Sequence, residues 1–253
     1  MLTHPTLEQL KQLQLRGMLA ALEEQHHHPN LPDLTFEDRL GLLLDREVAT
    51  RADRRLKNRL KRAKLRLQAS IEDIDQHTNR SLDRRLLTQL AQSTWIARHQ
   101  NLAITGPTGV GKTYIACALA NAACRHGHTA LYHRLPRLLQ ELHVAKSDGR
   151  YRTLLHNLAR TDLIVIDDWG ITALTDGNRR DLLELLDDRF NTRATIITSQ
   201  LPVSAWHEYL DDPTLADAIL DRFTHNAHQL NLKGESMRKT RSSLTNEATT
   251  SDA

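Results

Sequence analysis

The feature that most constrains this chain is the run GPTGVGKT at residues 106–113. It matches G-x-x-x-x-G-K-[ST] at every fixed position, with a short apolar segment before it and a helical pattern after it. Glycines at these spacings let backbone N–H groups turn toward phosphate oxygens, and the positive end of the following helix adds to the attraction. The run therefore predicts a strand, a phosphate-binding loop and a helix in succession.

This loop predicts a binding site for ATP and Mg²⁺. Lys112 is expected to reach the outer phosphates and to act in catalysis, and the Thr113 hydroxyl is expected to ligate magnesium. The residues predicted to contact the nucleotide are Gly106, Pro107, Thr108, Gly109, Val110, Gly111, Lys112, Thr113 and Tyr114.

Two acids supply a second part of the predicted site. Asp167 and Asp168 follow a run of four apolar residues at 163–166, which predicts a buried strand. Ligands of open α/β sheets bind at the carboxyl ends of such strands. We expect Asp167 to hold magnesium, and Asp168 to orient or deprotonate the attacking water. A strand that ends in a solvated acidic turn is the alternative.

A later strand, predicted at 195–200, also ends in polar side chains. Ser199, together with Thr198, could sense the γ-phosphate or position water, which makes Ser199 a candidate catalytic residue. The alternative is a strand that simply runs into a turn before Pro202.

From residue 101 onward, apolar runs of strand length alternate with helical patterns. This alternation predicts a central parallel sheet covered by helices on both faces, a three-layer α/β sandwich. The predicted strands are 101–105, 129–133, 162–167, 194–199 and 227–232. The predicted helices are 113–125, 135–146, 178–190, 203–209 and 214–223.

The first part of the chain has helical patterns only. Leucines at helical spacing predict one helix over 6–24, and Thr35 with Asp38 resembles the capping pair at the start of another helix. The predicted organisation has three parts, which are an all-helical domain at 1–95, the α/β domain at 96–238 and a Ser- and Thr-rich disordered tail at 239–253.

Positive charge is concentrated at residues 51–66. Nine of the 34 Lys and Arg residues lie there, against one of the 31 Asp and Glu residues, so the rest of the chain carries 25 bases and 30 acids. The nine bases are Arg51, Arg54, Arg55, Lys57, Arg59, Lys61, Arg62, Lys64 and Arg66. Helical spacing of the apolar residues predicts a basic helix, which we expect to contact double-stranded DNA or a partner. A solvated helix face is the alternative.

The cysteines and the apolar runs of the sequence bear on the cellular compartment of the protein. Cys117 and Cys124 are too few for a disulfide framework and are expected to be buried, reduced thiols. No apolar run approaches the roughly 20 residues that a membrane span needs. We therefore expect a cytoplasmic protein without a membrane partner.

Five sequence blocks point to a known family. They are GPTGVGKT at 106–113, LIVIDDWG at 163–170, TIITSQLPVSAWHEYL at 195–210, DPTLADAILDRFTHNAHQLNLKGESMRK at 212–239 and IEDIDQHTNRSLDR at 71–84. Together they resemble AAA+ ATPases of the DnaA/DnaC type. Within that group they resemble the IstB-like helper ATPases encoded beside the transposase in one group of bacterial insertion sequences. The resemblance covers nearly the whole chain.

The resemblance implies two further site residues. Arg222 matches the arginine finger that reaches the nucleotide of a neighbouring subunit, which implies an ATP-dependent homo-oligomer. Arg238 matches the arginine that contacts the γ-phosphate of its own subunit. This sequence has Asp168 where many AAA+ proteins have Glu, so slow hydrolysis is expected. We also expect no helical lid after the last strand, because the resemblance is to DnaC-like and IstB-like proteins, which do not have the lid of most AAA+ proteins.

The expected function is that of an ATP-dependent DNA-binding helper of transposition. Such a protein would oligomerise on target DNA, stimulate the transposase of the same element, and switch by slow, DNA-stimulated ATP hydrolysis. A DnaC-like replicative helicase loader is the first alternative. A small-molecule P-loop kinase and a nucleotide-gated scaffold without hydrolysis are weaker alternatives.

Overall fold

The computed structural model of the chain describes residues 5–27, 34–74 and 81–237. Contacts group the chain into two compact units, Met1–Asn58 and Arg59–Ala253. The predicted domain boundary at 95/96 falls within the second unit, and a domain division at that point stays a prediction. The predicted tail at 239–253 lies outside the described residues.

The first unit is helical. It contains α1 (Pro5–Gln12), α2 (Arg16–His27) and most of the long helix α3 (Phe36–Ala63). The prediction of one helix over 6–24 is wrong, because the chain turns at Gln14, whose φ of 57° lies in the left-handed region.

A buried carboxylate joins α2 to α3. Glu47 is 6% exposed and accepts hydrogen bonds from the backbone N–H groups of Gly17 (2.7 Å) and Met18 (3.2 Å) in the first turn of α2. Arg51 donates to the same carboxylate at 2.6 Å. Gly17 permits this approach, since a Cβ there would lie 2.6 Å from the carbonyl oxygen of Arg46.

Local contacts and backbone geometry explain where α3 begins and where it ends. The Thr35 hydroxyl accepts from the Asp38 N–H at 3.1 Å, and the Asp38 carboxylate accepts from the Thr35 N–H at 3.3 Å, which confirms the predicted capping pair. The helix ends at Ala63, because Lys64 has a left-handed φ of 49°. The prediction that the basic helix extends through Arg66 is therefore wrong, and Arg66 lies on the segment that follows.

A five-stranded parallel sheet forms the centre of the second unit, in the order β2-β3-β4-β1-β5. The strands are β1 (Asn101–Thr105), β2 (Ala130–Arg134), β3 (Leu163–Trp169), β4 (Ala194–Ser199) and β5 (Ala227–Asn231). All five predicted strands are confirmed, and the parallel sheet with helices around it confirms the α/β fold class.

Helices surround the sheet. They are α4 (Arg84–Ala91), α5 (Thr94–Ala97), α6 (Lys112–Arg125), α7 (Leu135–Ser147), α8 (Tyr151–Arg160), α9 (Asp176–Arg189), α10 (Trp206–Leu210) and α11 (Pro213–Thr224). Helix α8 was not predicted from the sequence. No helix in the described part of the chain has the length and apolar character that membrane crossing requires.

Strand order decides which side chains meet. Because all strands are parallel, their carboxyl ends share one edge of the sheet. β4 separates β1, which leads into the phosphate-binding loop, from β3, which carries the two acids. Ser199 at the end of β4 is in register with Thr105 of β1 on one side and Trp169 of β3 on the other. The loop, the acids and the end of β4 are thereby brought together.

Replacing Glu47 by Gln is expected to destabilise the first unit by about 1–3 kcal/mol, because a buried charged acceptor is neutralised. Hydrogen–deuterium exchange of α1–α3 in the full chain measures this loss at neutral pH. The exposed Glu23 of α2 provides the control, as Glu23→Gln. Equal protection in the two variants would contradict the prediction.

The same carboxylate predicts a pH dependence. Burial raises the pKa of Glu47, but hydrogen bonds from Arg51, Met18 and Gly17 together outweigh it, and the net pKa lies below the ordinary 4.5. The stabilisation is therefore present above pH 4.5 and is lost as the pH falls through the lowered folded value. The protection of α1–α3, taken relative to the intrinsic exchange rate at each pH, should fall there in the wild type, and in Glu47→Gln it should change less.

Candidate nucleotide-binding site

The phosphate-binding loop has the backbone that its glycines predict. Gly106, Gly109 and Gly111 have φ values of 145°, 86° and 99°. A Cβ on Gly109 would lie 2.0 Å from the Ser236 hydroxyl oxygen, so a larger residue would collide there. Gly111 is the N-cap of α6 and provides no side-chain cap, so the first N–H groups of α6 keep their capacity to bind an anion.

The Lys112 ammonium is held by its own loop. It donates to the carbonyl oxygens of Gly106 at 2.6 Å and Pro107 at 2.7 Å. Burial lowers the pKa of Lys112, and the charges of Asp167 and Asp168 act in the opposite direction. A cation therefore sits beside the amides of the loop, as phosphate binding requires.

Asp167 is the most buried charge of the site, at 1% exposure. The Thr113 hydroxyl lies 3.0 Å from each of its carboxylate oxygens. The hydroxyls of Tyr132 on β2 and Thr198 on β4 also donate to it. Burial and the neighbouring Asp167 raise the pKa of Tyr132, so the phenol stays a donor. The carboxylate of Asp167 and the hydroxyl of Thr113 are the hard oxygen donors that suit Mg²⁺, and they would hold it together.

Asp168 has a different environment from Asp167. It is a non-glycine residue with φ of 66°, and its N–H donates to the Thr198 hydroxyl at 3.3 Å. Its carboxylate accepts from Nε of Arg134 at 2.6 Å. Arg134 is the last residue of β2 and pairs in register with Asp167. A predicted water-activating acid is thus paired with an arginine and held in a strained backbone conformation.

The two polar residues at the end of β4 have different contacts. Ser199 is 1% exposed, donates to the Trp169 carbonyl at 2.8 Å and accepts from the Leu201 N–H at 3.0 Å. The Ser199 hydroxyl therefore hydrogen-bonds backbone groups of neighbouring residues. Thr198, in contrast, donates directly to Asp167.

These residues surround a cavity of about 390 Å³. The predicted site residues that line it are Thr108, Gly109, Gly111, Lys112, Thr113, Tyr114, Asp167, Asp168, Thr198 and Ser199. Lining residues that sequence reasoning did not assign to the site are Arg66, Leu67, Asp73, Ile74, Arg134, Gln200 and Met237. The cavity thus extends from the loop to the segment that follows α3.

The predicted arginine finger lies elsewhere. Arg222 is on α11, where its Nε donates to Asp187 at 2.6 Å and its guanidinium also bonds the Ala218 carbonyl. It does not line the cavity of its own chain among the described residues. The predicted γ-phosphate contact Arg238 lies outside the described residues.

For two of the site residues that sequence reasoning missed, the sequence held a usable signal. Tyr132 lies near the end of the strand predicted at 129–133 and Arg134 directly follows it, and in a parallel sheet the ends of neighbouring strands meet. Using that signal requires knowing that β2 lies beside β3. Arg66 had no such signal, because the helical spacing of apolar residues continues past the true end of α3.

The chain is similar in sequence to known ATP-binding proteins. The family model for IstB-like ATP-binding proteins matches residues 8–245. An insertion-sequence ATP-binding protein of Sinorhizobium fredii is 51% identical over 239 residues, covering 94% of this chain and 98% of the relative. A second such protein, of Pseudomonas fluorescens, is 53% identical over 205 residues, covering 81% of this chain and 89% of the relative.

Solved structures agree on the fold. DnaI has a TM-score of 0.56 and 22% identity, covering 70% of this chain and 93% of DnaI. The DnaC helicase loader has a TM-score of 0.54 and 20% identity, covering 65% of this chain and 97% of DnaC. These likenesses show that the chain shares its fold with both proteins. Since the family match spans nearly the whole sequence and carries the loop and both acids, this chain belongs to the family of IstB-like ATP-binding proteins.

Proposed function

We propose that this chain hydrolyses Mg·ATP and uses the cycle to act as a DNA-binding helper of transposition. The observation that carries the proposal is the contact between the Thr113 hydroxyl and the Asp167 carboxylate, which joins the phosphate-binding loop to the acid-bearing strand. The names of the relatives, insertion-sequence ATP-binding proteins, support the biological setting.

In the proposed reaction, water attacks the γ-phosphorus, the bond to the β-γ bridging oxygen breaks, and ADP and phosphate leave. Lys112 turns from the Gly106 and Pro107 carbonyls to the phosphates and offsets their charge. Asp168 accepts the proton of the attacking water. Mg²⁺, held by Thr113 and Asp167, would neutralise charge on the phosphate oxygens.

Slow turnover follows from the state of Asp168. One of its two carboxylate oxygens is engaged by Nε of Arg134 at 2.6 Å, which restricts how the carboxylate can meet the attacking water. Asp is also one methylene shorter than the Glu found in many AAA+ proteins. Both features support a low basal rate that DNA or a neighbouring subunit increases.

The exposed bases of α3 and the residue after it support DNA binding. Of the nine bases predicted for this contact, Arg51 pairs with Glu47 and Arg59 donates to the Cys124 carbonyl at 2.9 Å. Arg66 lies at the nucleotide site. The remaining six are exposed, namely Arg54, Arg55, Lys57, Lys61, Arg62 and Lys64. A row of exposed bases is what non-specific contact with DNA phosphates needs.

The proposal includes assembly. Arg222 supplies its guanidinium to the nucleotide of a neighbouring subunit, so that ATP drives a homo-oligomer on double-stranded DNA. This assembly stimulates the transposase of the same element in the cytoplasm. A DnaC-like helicase loader remains the alternative, which the fold allows but the names of the close relatives do not favour.

Two variants separate binding from hydrolysis. Lys112→Ala should weaken binding of a fluorescent ATP analogue at least about tenfold, because a charge-assisted phosphate contact is lost. Asp168→Asn should retain binding and lose about 10²–10⁴-fold in steady-state turnover. Asp188→Asn, an exposed acid on α9, is the control and should match the wild type. Full turnover in Asp168→Asn would reject Asp168 as the proton acceptor.

Charge reversal tests the DNA surface. Changing Arg54, Lys57, Lys61 and Lys64 to Glu should abolish or strongly weaken duplex binding and flatten its salt dependence, since phosphate contacts release counterions. Reversing four exposed arginines elsewhere, Arg98, Arg137, Arg152 and Arg180, is the control with the same change in net charge. Equal loss in both sets would show a general charge effect and contradict a surface on α3.

Mixing variants tests whether Arg222 acts between subunits. Arg222→Ala and Asp168→Asn should each be nearly inactive alone. When they are mixed, a site with an intact Asp168 can meet an intact Arg222 from its neighbour, so part of the ATPase activity should return. A mixture that stays as inactive as its components would place any role of Arg222 within one subunit.

A further inference from the structure

Arg66, the last base of the basic run, lies at the nucleotide site. Its guanidinium is 3.6 Å from the Asp167 carboxylate and 3.9 Å from that of Asp168. It also hydrogen-bonds the Tyr132 hydroxyl, which in turn donates to Asp167. Its side chain is 40% exposed and lines the same cavity as Lys112. The residue is therefore held beside the acids and remains accessible from the cavity.

The backbone that carries Arg66 is fixed to α6, the helix that begins at Lys112. Backbone hydrogen bonds join residues Arg66 and Leu67 to the thiol of Cys117, which is fully buried on α6. Farther along the segment, Glu72 accepts from Arg125 at the end of α6 at 2.9 Å. These contacts hold Arg66 at a defined place relative to the phosphate-binding loop.

The charges around Asp167 favour a change of partner for Arg66 when Mg·ATP binds. Arg66 partly neutralises Asp167, the same carboxylate that would hold Mg²⁺. A guanidinium and Mg²⁺ on one carboxylate repel each other, whereas the phosphates that arrive with Mg²⁺ offer new negative oxygens. A guanidinium matches phosphate oxygens in geometry as well as in charge.

We propose that Arg66 is a phosphate-binding residue, which leaves Asp167 when Mg·ATP binds and then contacts the phosphate chain of the nucleotide. This rests on the proposed function in one respect, that Asp167 holds the magnesium of bound ATP. The proposal gives Arg66 a different role from the bases before it in the basic run, which are proposed to contact DNA.

Arg152 provides a matched control. It is exposed on α8, belongs neither to the nucleotide site nor to the proposed DNA surface, and its replacement changes the net charge equally. Arg66→Met and Arg152→Met are compared in the full chain by fluorescence anisotropy of an ATP analogue, with Mg²⁺ and with EDTA. With Mg²⁺, Arg66→Met should bind about tenfold more weakly than Arg152→Met. With EDTA the difference should largely disappear, because Arg66 then stays with the acids in the wild type.

Two outcomes would overturn the proposal. Equal affinities of Arg66→Met and Arg152→Met with Mg²⁺ would show that Arg66 makes no phosphate contact. A defect of equal size with Mg²⁺ and with EDTA would show a merely structural role. Arg66→Gln, which keeps a donor for Tyr132, gives the same test should the methionine variant not fold. Failure of the proposed function would appear separately, as wild-type binding that Lys112→Ala leaves unchanged.

Discussion

The buried carboxylate of Asp167 is the interaction on which the rest of the site depends. A charge at 1% exposure is costly unless hydrogen bonds compensate it, and three hydroxyls do so here. They come from Thr113 on α6, Tyr132 on β2 and Thr198 on β4. The three donors reach this carboxylate because β2 and β4 flank β3 and α6 begins over the same edge. The sheet order and the burial of Asp167 are thus mutually dependent.

Sequence reasoning predicted what local patterns encode. The loop, the five strands and the two acids each have a short-range signature, and all were found. The order of strands is a long-range property, so the contacts that β2 makes with the acids through Tyr132 and Arg134 were missed. Apolar spacing also cannot show where a helix stops when one residue, Lys64, takes a left-handed φ.

The site balances its charges internally. Lys112, Arg134 and Arg66 surround Asp167 and Asp168, and each acid lies close to a cation. In the proposed function, Mg·ATP would bind by replacing existing pairs: the phosphates would take over the cations and the metal would take over a carboxylate. The affinity for Mg·ATP would then be the difference between the interactions gained with the nucleotide and the ion pairs lost within the site. Weakening either set changes that affinity. Asp168, the proposed proton acceptor, is paired with Arg134 at 2.6 Å in this arrangement.

The basic run links the two proposed binding events through one stretch of backbone. Lys61 and Lys64 are exposed where DNA phosphates could reach them, while Arg66, two residues beyond Lys64, faces the acids of the site. If ATP moves Arg66 and thereby shifts the segment around Lys64, ATP alters the affinity of the run for DNA. Thermodynamic reciprocity then requires that DNA alter the affinity for ATP by the same factor. Lys64, with its left-handed φ, lies between the two sets of contacts, where α3 has ended and the segment that carries Arg66 begins.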